Sequence, residues 1–176
     1  MVQSPAAPSS LAVTLIKPDT LEDETLLDIL HLSNEIFAPD PDSKYASLSV
    51  WRERLSHPSS LIIYLTVASE HKGTTQGGPP VAFLFAHPKR HIPPLSNGET
   101  ESLHVWLAGV LPSWRKGGCL RRMMDALPID SHRVCTICTI PSRFPDMWAW
   151  LVKRGWSVER ELEVGKFLLS KQTVFL

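Results

Sequence analysis

The chain has 176 residues, 43% of them hydrophobic and 20% charged, enough for one domain whose core needs no disulfide or metal. Eighteen Lys and Arg balance eighteen Asp and Glu, so no overall field draws the chain to nucleic acid or an anionic membrane, and any anion site must be local. No run approaches the roughly 20 apolar residues of a membrane span.

The opening MVQSPAAPSS, residues 1–10, lacks the apolar core of a signal peptide and reads as a disordered leader. This points to the cytoplasm, with the nucleus as the alternative, and leaves 11–176 as a single domain. LAVTLIKP (11–18) alternates as a strand and stops at Pro18. TLEDETLLDILHLSNEIF (20–37) carries helix-start signals: Thr20 as cap, acidic residues in the first turn, and Leu26, Leu30 and Phe37 at helical spacing. KYASLSVWRERLSH (44–57) is a second helix with Leu48, Trp51 and Leu55 on one face.

Strands follow at 60–69 and 81–88, joined by a glycine-rich hairpin loop, and a longer strand, SLHVWLAGVL, spans 102–111. Next come a Gly-Gly turn with a helix ending before Pro128, a strand at 133–140, a helix at 144–154 and a last strand, SVERELEVGKFLLSK. The order β-α-α-β-β-β-α-β-α-β predicts an α/β (α+β) fold, a mixed central sheet with helices on both faces. Cys135 and Cys138 form a C-x-x-C on a strand, where residues three apart point to opposite faces. With Cys119 they read as buried free thiols rather than a metal or redox site.

VLPSWRKGGCLRRMMDAL, residues 110–127, holds the densest chemistry. A helix N-terminus presents unpaired N–H groups and about half a positive charge. A glycine approach lets those groups close on a phosphate, and Arg115 and Lys116 add formal charge. Behind the turn, Leu120, Met123, Met124 and Leu127 face inward, while Arg121, Arg122 and Asp125 face solvent. Pyrophosphate is the natural guest; the alternative is a plain turn with solvated basic residues.

Val110-x-Pro112-x-Trp114-Arg115-x-x-Gly118 resembles the acyl-CoA signature of the GNAT superfamily of N-acetyltransferases, and the order of elements from residue 11 onward is similar to that fold. The resemblance implies acetyl-CoA as co-substrate, with pantetheine entering a gap where the strand before the turn splays from its neighbour. It implies that the backbone amides of Arg115, Lys116, Gly117, Gly118, Cys119 and Leu120 hold the pyrophosphate and that the Val110 N–H polarises the thioester carbonyl. Two positions depart from the pattern: Leu120 stands where Gly or Ala is usual, and Lys116 where glycine follows the arginine. FPDMWAWLVKRGW resembles the family's fourth helix and keeps its Gly155-Trp156 ending, but Leu151 occupies the place of the tyrosine that protonates the leaving thiolate. Nothing in the sequence names a substitute donor.

His104 is the expected base. It lies six residues before Val110 on the same strand, where several family members carry a catalytic Glu or His, and an ordinary pKa near 6.5 suits the task. Alternation puts Ser102, His104 and Trp106 on one face. A strand histidine without a role is the alternative, and Glu101 is the reserve base. His57, His71, His87, His91 and His132 fall in turns by this reading and are expected to be solvated. Phe37, Tyr45 and Trp106, with Trp51, suggest an apolar or aromatic acceptor. The expected reaction is direct acetyl transfer to a primary amine of a small molecule, by a monomer or homodimer with no nucleic-acid or membrane partner and no metal. An acyl-CoA-binding regulatory domain and a protein lysine or N-terminal acetyltransferase are the alternatives.

Overall fold

The computed structural model describes residues 11–37, 47–67, 78–128 and 133–172. Seven strands form one sheet: β1 (Leu11–Ile16), β2 (Leu61–Val67), β3 (Pro80–Arg90), β4 (Glu101–Val110), β5 (Val134–Thr139), β6 (Ser157–Glu163) and β7 (Lys166–Gln172), in the order β1-β2-β3-β4-β5-β7-β6. Every neighbouring pair is antiparallel except β4 and β5, which run parallel. Such a pair needs a crossover, here the segment containing the helix Cys119–Asp125 (α3).

Helices cover both faces. α1 (Asp23–Phe37) and α2 (Leu48–Leu55) bury Leu26, Ile29, Leu32, Ile36, Trp51 and Leu55 against Ile62, Phe83 and Phe85. Each such side chain contributes about 1.5–3 kcal/mol on burial. On the other face, Met123 of α3 and Leu151 of α4 (Pro145–Lys153) pack with Ile63, Leu84 and Val105. α4 closes as its sequence specifies. Gly155 turns left-handed at φ 77°, the Gly155 N–H reaches Val152 O at 3.1 Å and the Trp156 N–H reaches Leu151 O at 3.2 Å, a Schellman ending.

The structure departs from the sequence reading in three places. The last predicted strand is a hairpin, β6 and β7, because Gly165 takes φ 75° and reverses the chain beside the fully exposed Val164. β3 runs through Pro88 to Arg90. Pro88 stands opposite Leu103 in a pair that exchanges no ladder bond, since the flanking His91 N–H donates to Thr100 O, so the missing N–H costs nothing there. Thr20 does not cap α1; its hydroxyl closes a preceding 3-10 turn onto Lys17 O at 3.1 Å.

Among the described residues no helix is long and apolar enough to cross a membrane. Cys119, Cys135 and Cys138 are free thiols. Cys135 joins the core on one face, and Cys138 packs against Leu95, Val134 and Leu168 on the other. Burial pushes the Cys135 thiol up to about 11, which suits a packing residue rather than a nucleophile.

Candidate active site

β4 pairs with β5 at Leu103–Cys135, His104–Thr136 and Val105–Ile137. From Trp106 to Val110 it has no ladder partner on that side among the described residues, while its other edge stays bonded to β3 through Val110. Beyond Val105 the two parallel strands are no longer bonded, so the edge of β4 that faces β5 (the cleft) is free as far as the turn at 111–118. The Leu111 N–H donates to Val81 O at 3.0 Å. Successive peptide units of a strand point to alternate edges, so the Val110 N–H points away from β3 and into the cleft.

A bulge prepares this. Phe85 pairs with Leu107 but Ala86 pairs with Val105, which leaves Trp106 as an extra residue on β4. Trp106 packs on the α1–α2 face, 5.2 Å from Phe85 and 5.8 Å from Trp51 between ring centroids. The Arg54 guanidinium lies 4.3 Å above its ring.

The turn follows β4 through one 3-10 turn at Pro112–Trp114. The Arg115 Nε–H donates to Val110 O at 3.2 Å, tying the turn to the end of β4. Lys116 takes φ 65° and Gly118 φ 80°, both left-handed, which explains why glycine suits the position after the arginine. The first α3 ladder bond runs from the Arg122 N–H to Gly118 O, so the amides of Cys119, Leu120 and Arg121 precede any i−4 acceptor in the helix. Leu120 packs against the core, with its side chain turned inward. The Cys119 side chain is buried, its Sγ 3.5 Å from Trp114 O, and burial raises its pKa; only its backbone can serve an anion. An elongated anionic thioester fits these features: an inter-strand cleft for its stem, and exposed basic side chains and amides at one end for its phosphates.

His104 is buried, with 5% of its surface exposed, and shares the α1–α2 face with Ser102 and Trp106 as alternation predicts. Its Nδ1 lies 2.9 Å from Thr136 Oγ1 across the parallel pair. Its ring is 5.7 Å from that of His87. Burial, and then the positive fields of Lys89, His87, His91 and Arg54, hold its pKa well below the ordinary 6.5. The sequence expectation of an unshifted histidine is therefore corrected: His104 is neutral throughout the neutral range because charging it would cost its solvation. Glu101 is exposed at the start of β4, opposite Arg90 in register and on the other face from His104.

His87 and His91 are corrections too. Neither is a solvated turn residue. His87 is half-buried on β3; its Nδ1–H donates to Pro88 O at 2.8 Å, leaving Nε2 to accept from the Arg54 guanidinium at 3.0 Å. His91 is buried, with Nε2 2.7 Å from Ser102 Oγ. His57 is exposed as expected, and His71 and His132 lie outside the described residues. Sequence reasoning missed Thr136, His91 and Arg54. The alternation of VCTICT places Thr136 on a defined face, but which strand lies beside β5 is not written locally.

Phe37 ends α1 with its ring edge-on to Phe83 at 6.5 Å. It belongs, with Trp106, to the partly buried rim of the α1–α2 cluster, whereas Trp51 is core. Tyr45 lies outside the described residues. No group of three or more His, Cys, Asp or Glu placed to hold a metal occurs among the described residues.

No protein-family model matches the sequence, and no curated protein does. Solved structures do share its fold. An aminoglycoside N-acetyltransferase, AAC(6')-Iy in complex with CoA, superposes with a TM-score of 0.64 at 14% identity over 92% of this chain and 96% of that one. A protein of Desulfovibrio desulfuricans described as an acetyltransferase of the GNAT family gives 0.62 at 12% over 93% and 99%. Arabidopsis thaliana NAA60 in complex with a bisubstrate analogue gives 0.60 at 14% over 93% and 98%. The parted β4–β5 pair, the order of elements and these superpositions agree: the chain has the GNAT acetyltransferase fold.

Proposed function

We propose that the protein is an N-acetyltransferase that moves an acetyl group from acetyl-CoA directly to a primary amine of a small molecule. The observation that carries this reading is the Val110 N–H directed into the cleft between β4 and β5, beside a basic, left-handed turn. The fold is shared with acetyltransferases, among them an aminoglycoside enzyme bound to CoA. The three free thiols fit a reducing compartment such as the cytoplasm.

The cleft orients the thioester, and the amides of 115–120 with Arg115 and Lys116 hold its phosphates. An alkylammonium with pKa of about 10 is rarely neutral at pH 7, so His104 removes its proton through the unpaired lone pair of Nε2. The amine nitrogen then bonds to the carbonyl carbon, the Val110 N–H stabilises the developing oxyanion, and the carbon–sulfur bond breaks. Leu151 is wholly buried and has no proton to give, so the second proton, shed by the newly bonded nitrogen, passes through solvent to the departing thiolate.

Buried Leu151 also favours a second reading, an acyl-CoA-binding regulatory domain without efficient transfer. Incubating the purified protein with acetyl-CoA and an amine library while following free thiol separates the two. Thiol release that requires an amine supports transfer. A thermal shift with acetyl-CoA but no release across small and peptide amines supports the regulatory reading. No thermal shift at all sinks both.

A further inference from the structure

Four side chains, two on β4, one on β5 and one just past the end of β3, form one unbroken chain of hydrogen bonds at the sheet's centre. His104 Nδ1 lies 2.9 Å from Thr136 Oγ1, Thr136 Oγ1 lies 2.6 Å from Ser102 Oγ, and Ser102 Oγ lies 2.7 Å from His91 Nε2. All four residues are buried. The outer ring nitrogens, Nε2 of His104 and Nδ1 of His91, have no hydrogen-bond partner among the described residues.

The chemistry of this row is particular. Each hydroxyl has one proton and lone pairs to spare, so both middle members donate one way and accept the other. The row therefore has two self-consistent directions. In one, His104 Nδ1–H donates to Thr136, Thr136 to Ser102, and Ser102 to His91 Nε2; His104 Nε2 is then a free base. In the other, every donation is reversed and His104 carries its proton on Nε2. A packing role would be filled as well by Val and Ala. Burying two hydroxyls and two imidazoles is costly unless all are bonded.

We propose that Thr136, Ser102 and His91 are a proton relay that carries the proton taken up by His104 to the far end of β3. The inference rests on the reading of His104 as the base for acetyl transfer. The step balances: Nε2 of His104 gains the amine's proton, its Nδ1 proton passes to Thr136 Oγ1, the Thr136 proton passes to Ser102 Oγ, and the Ser102 proton passes to His91 Nε2. His104 ends neutral and His91 ends as an imidazolium. The positive charge thus ends on the ring that has a carboxylate, Glu159, among its neighbours.

The surroundings favour this direction. His104 faces the positive groups Lys89, His87, His91 and Arg54, with no carboxylate among its influences. His91 faces Lys89 and Arg160 but also the Glu159 carboxylate, which favours its charged form. His91 adjoins the exposed segment Ile92–Pro94, a route to solvent.

Two measurements test the relay. The first is a proton inventory of acetyl transfer in mixed H2O and D2O at pH 7, with Thr136→Val, Ser102→Ala and the conservative Thr136→Ser. The relay predicts a curved inventory for the native protein, a linear one with about tenfold or greater loss of kcat for Thr136→Val and Ser102→Ala, and rescue by Thr136→Ser. The second needs no turnover: imidazole nitrogen NMR of His91 and His104 during an acid titration. Protonation of His91 should move the His104 proton from Nδ1 to Nε2 in the native protein, and should leave His104 unchanged in Thr136→Val. Independent titration of the two rings in the native protein overturns the relay, as does a pH profile and inventory unaltered by Thr136→Val. A native protein that transfers no acetyl group but shows the coupled titration refutes the acetyltransferase reading and leaves the relay standing.

Discussion

Gly109 lies directly against Phe83: a Cβ added there would stand 2.9 Å from Phe83 Cε1 and 3.0 Å from Ile36 Cδ1. The glycine lets α1 settle onto the end of β4, beside the cleft. Gly109→Ala should therefore destabilise the fold by about 1–3 kcal/mol through overpacking. Urea denaturation checks this, and an unchanged midpoint would show that α1 gives way freely.

Lys116 combines a charge with a left-handed backbone, and two substitutions separate them. Lys116→Ala removes the charge and keeps a conformation that costs an L-residue about 1–2 kcal/mol. Lys116→Gly removes both, against the roughly 0.5–1 kcal/mol that glycine loses in ordering. The glycine variant should be the more stable of the two. Both should weaken acetyl-CoA binding by a similar factor of about two to five at low salt, measured by calorimetry. Unequal binding losses would mean that turn conformation, not charge, sets affinity.

Much of this architecture was legible in the sequence. The α1, α2, β2, β4 and α4 spans are found within a few residues because their apolar periods agree with their final places. The 110–118 turn is local chemistry, and its residues were identifiable for that reason. The tail was misread as one strand because Val164-Gly165 sits inside an alternating run, and only the partner strands decide where it folds back. His87 and His91 were misplaced because Pro88 reads as a stop, whereas its edge in the ladder makes no demand on its nitrogen. The state of His104 depends on burial and on Thr136, set by pairing with a strand about thirty residues away, which no local pattern reports.

Leu151→Tyr would restore the residue type that the fold resemblance leads one to expect. Leu151 has no exposed surface, so the added ring and hydroxyl enter a filled core. The variant should lose about 1–3 kcal/mol and gain no rate of thiol release. A faster variant with an unchanged melting temperature would show that the phenol reaches the cleft.

His104→Ala should lower the rate of acetyl transfer about a hundredfold at pH 7 and less at pH 9, where more of the amine is already neutral. With burial holding the His104 pKa well below 6.5, the native rate should show no limb from this residue above pH 6.5. Equal losses at both pH values would argue against a base.

Acid should destabilise the fold through the same residues. The pKa values of His87, His91 and His104 all lie below the ordinary value in the folded state, first because of burial. As pH falls through about 6.5, the unfolded chain binds protons that the folded chain refuses, so stability drops; above about pH 7 these groups contribute no slope. His104→Gln should flatten the fall in urea midpoint between pH 7.5 and pH 5.5. The same slope in the variant would assign the acid sensitivity elsewhere.

The extra residue at Trp106 sets the phase of β4. Thr100 and Leu111 both bond toward β3, through Thr100 O and the Leu111 N–H, although one is even-numbered and the other odd. An unbroken strand could not satisfy both; the one inserted residue reconciles them. Deleting Trp106 would thus do more than remove a ring. It would make Val105 and Leu107 consecutive opposite Ala86 and Phe85, leaving a regular ladder in which the Val110 amide still points away from β3, and would erase the bulge at the point where β4 stops pairing with β5. The strand keeps time for two separate tasks, and a single residue resets the beat between them.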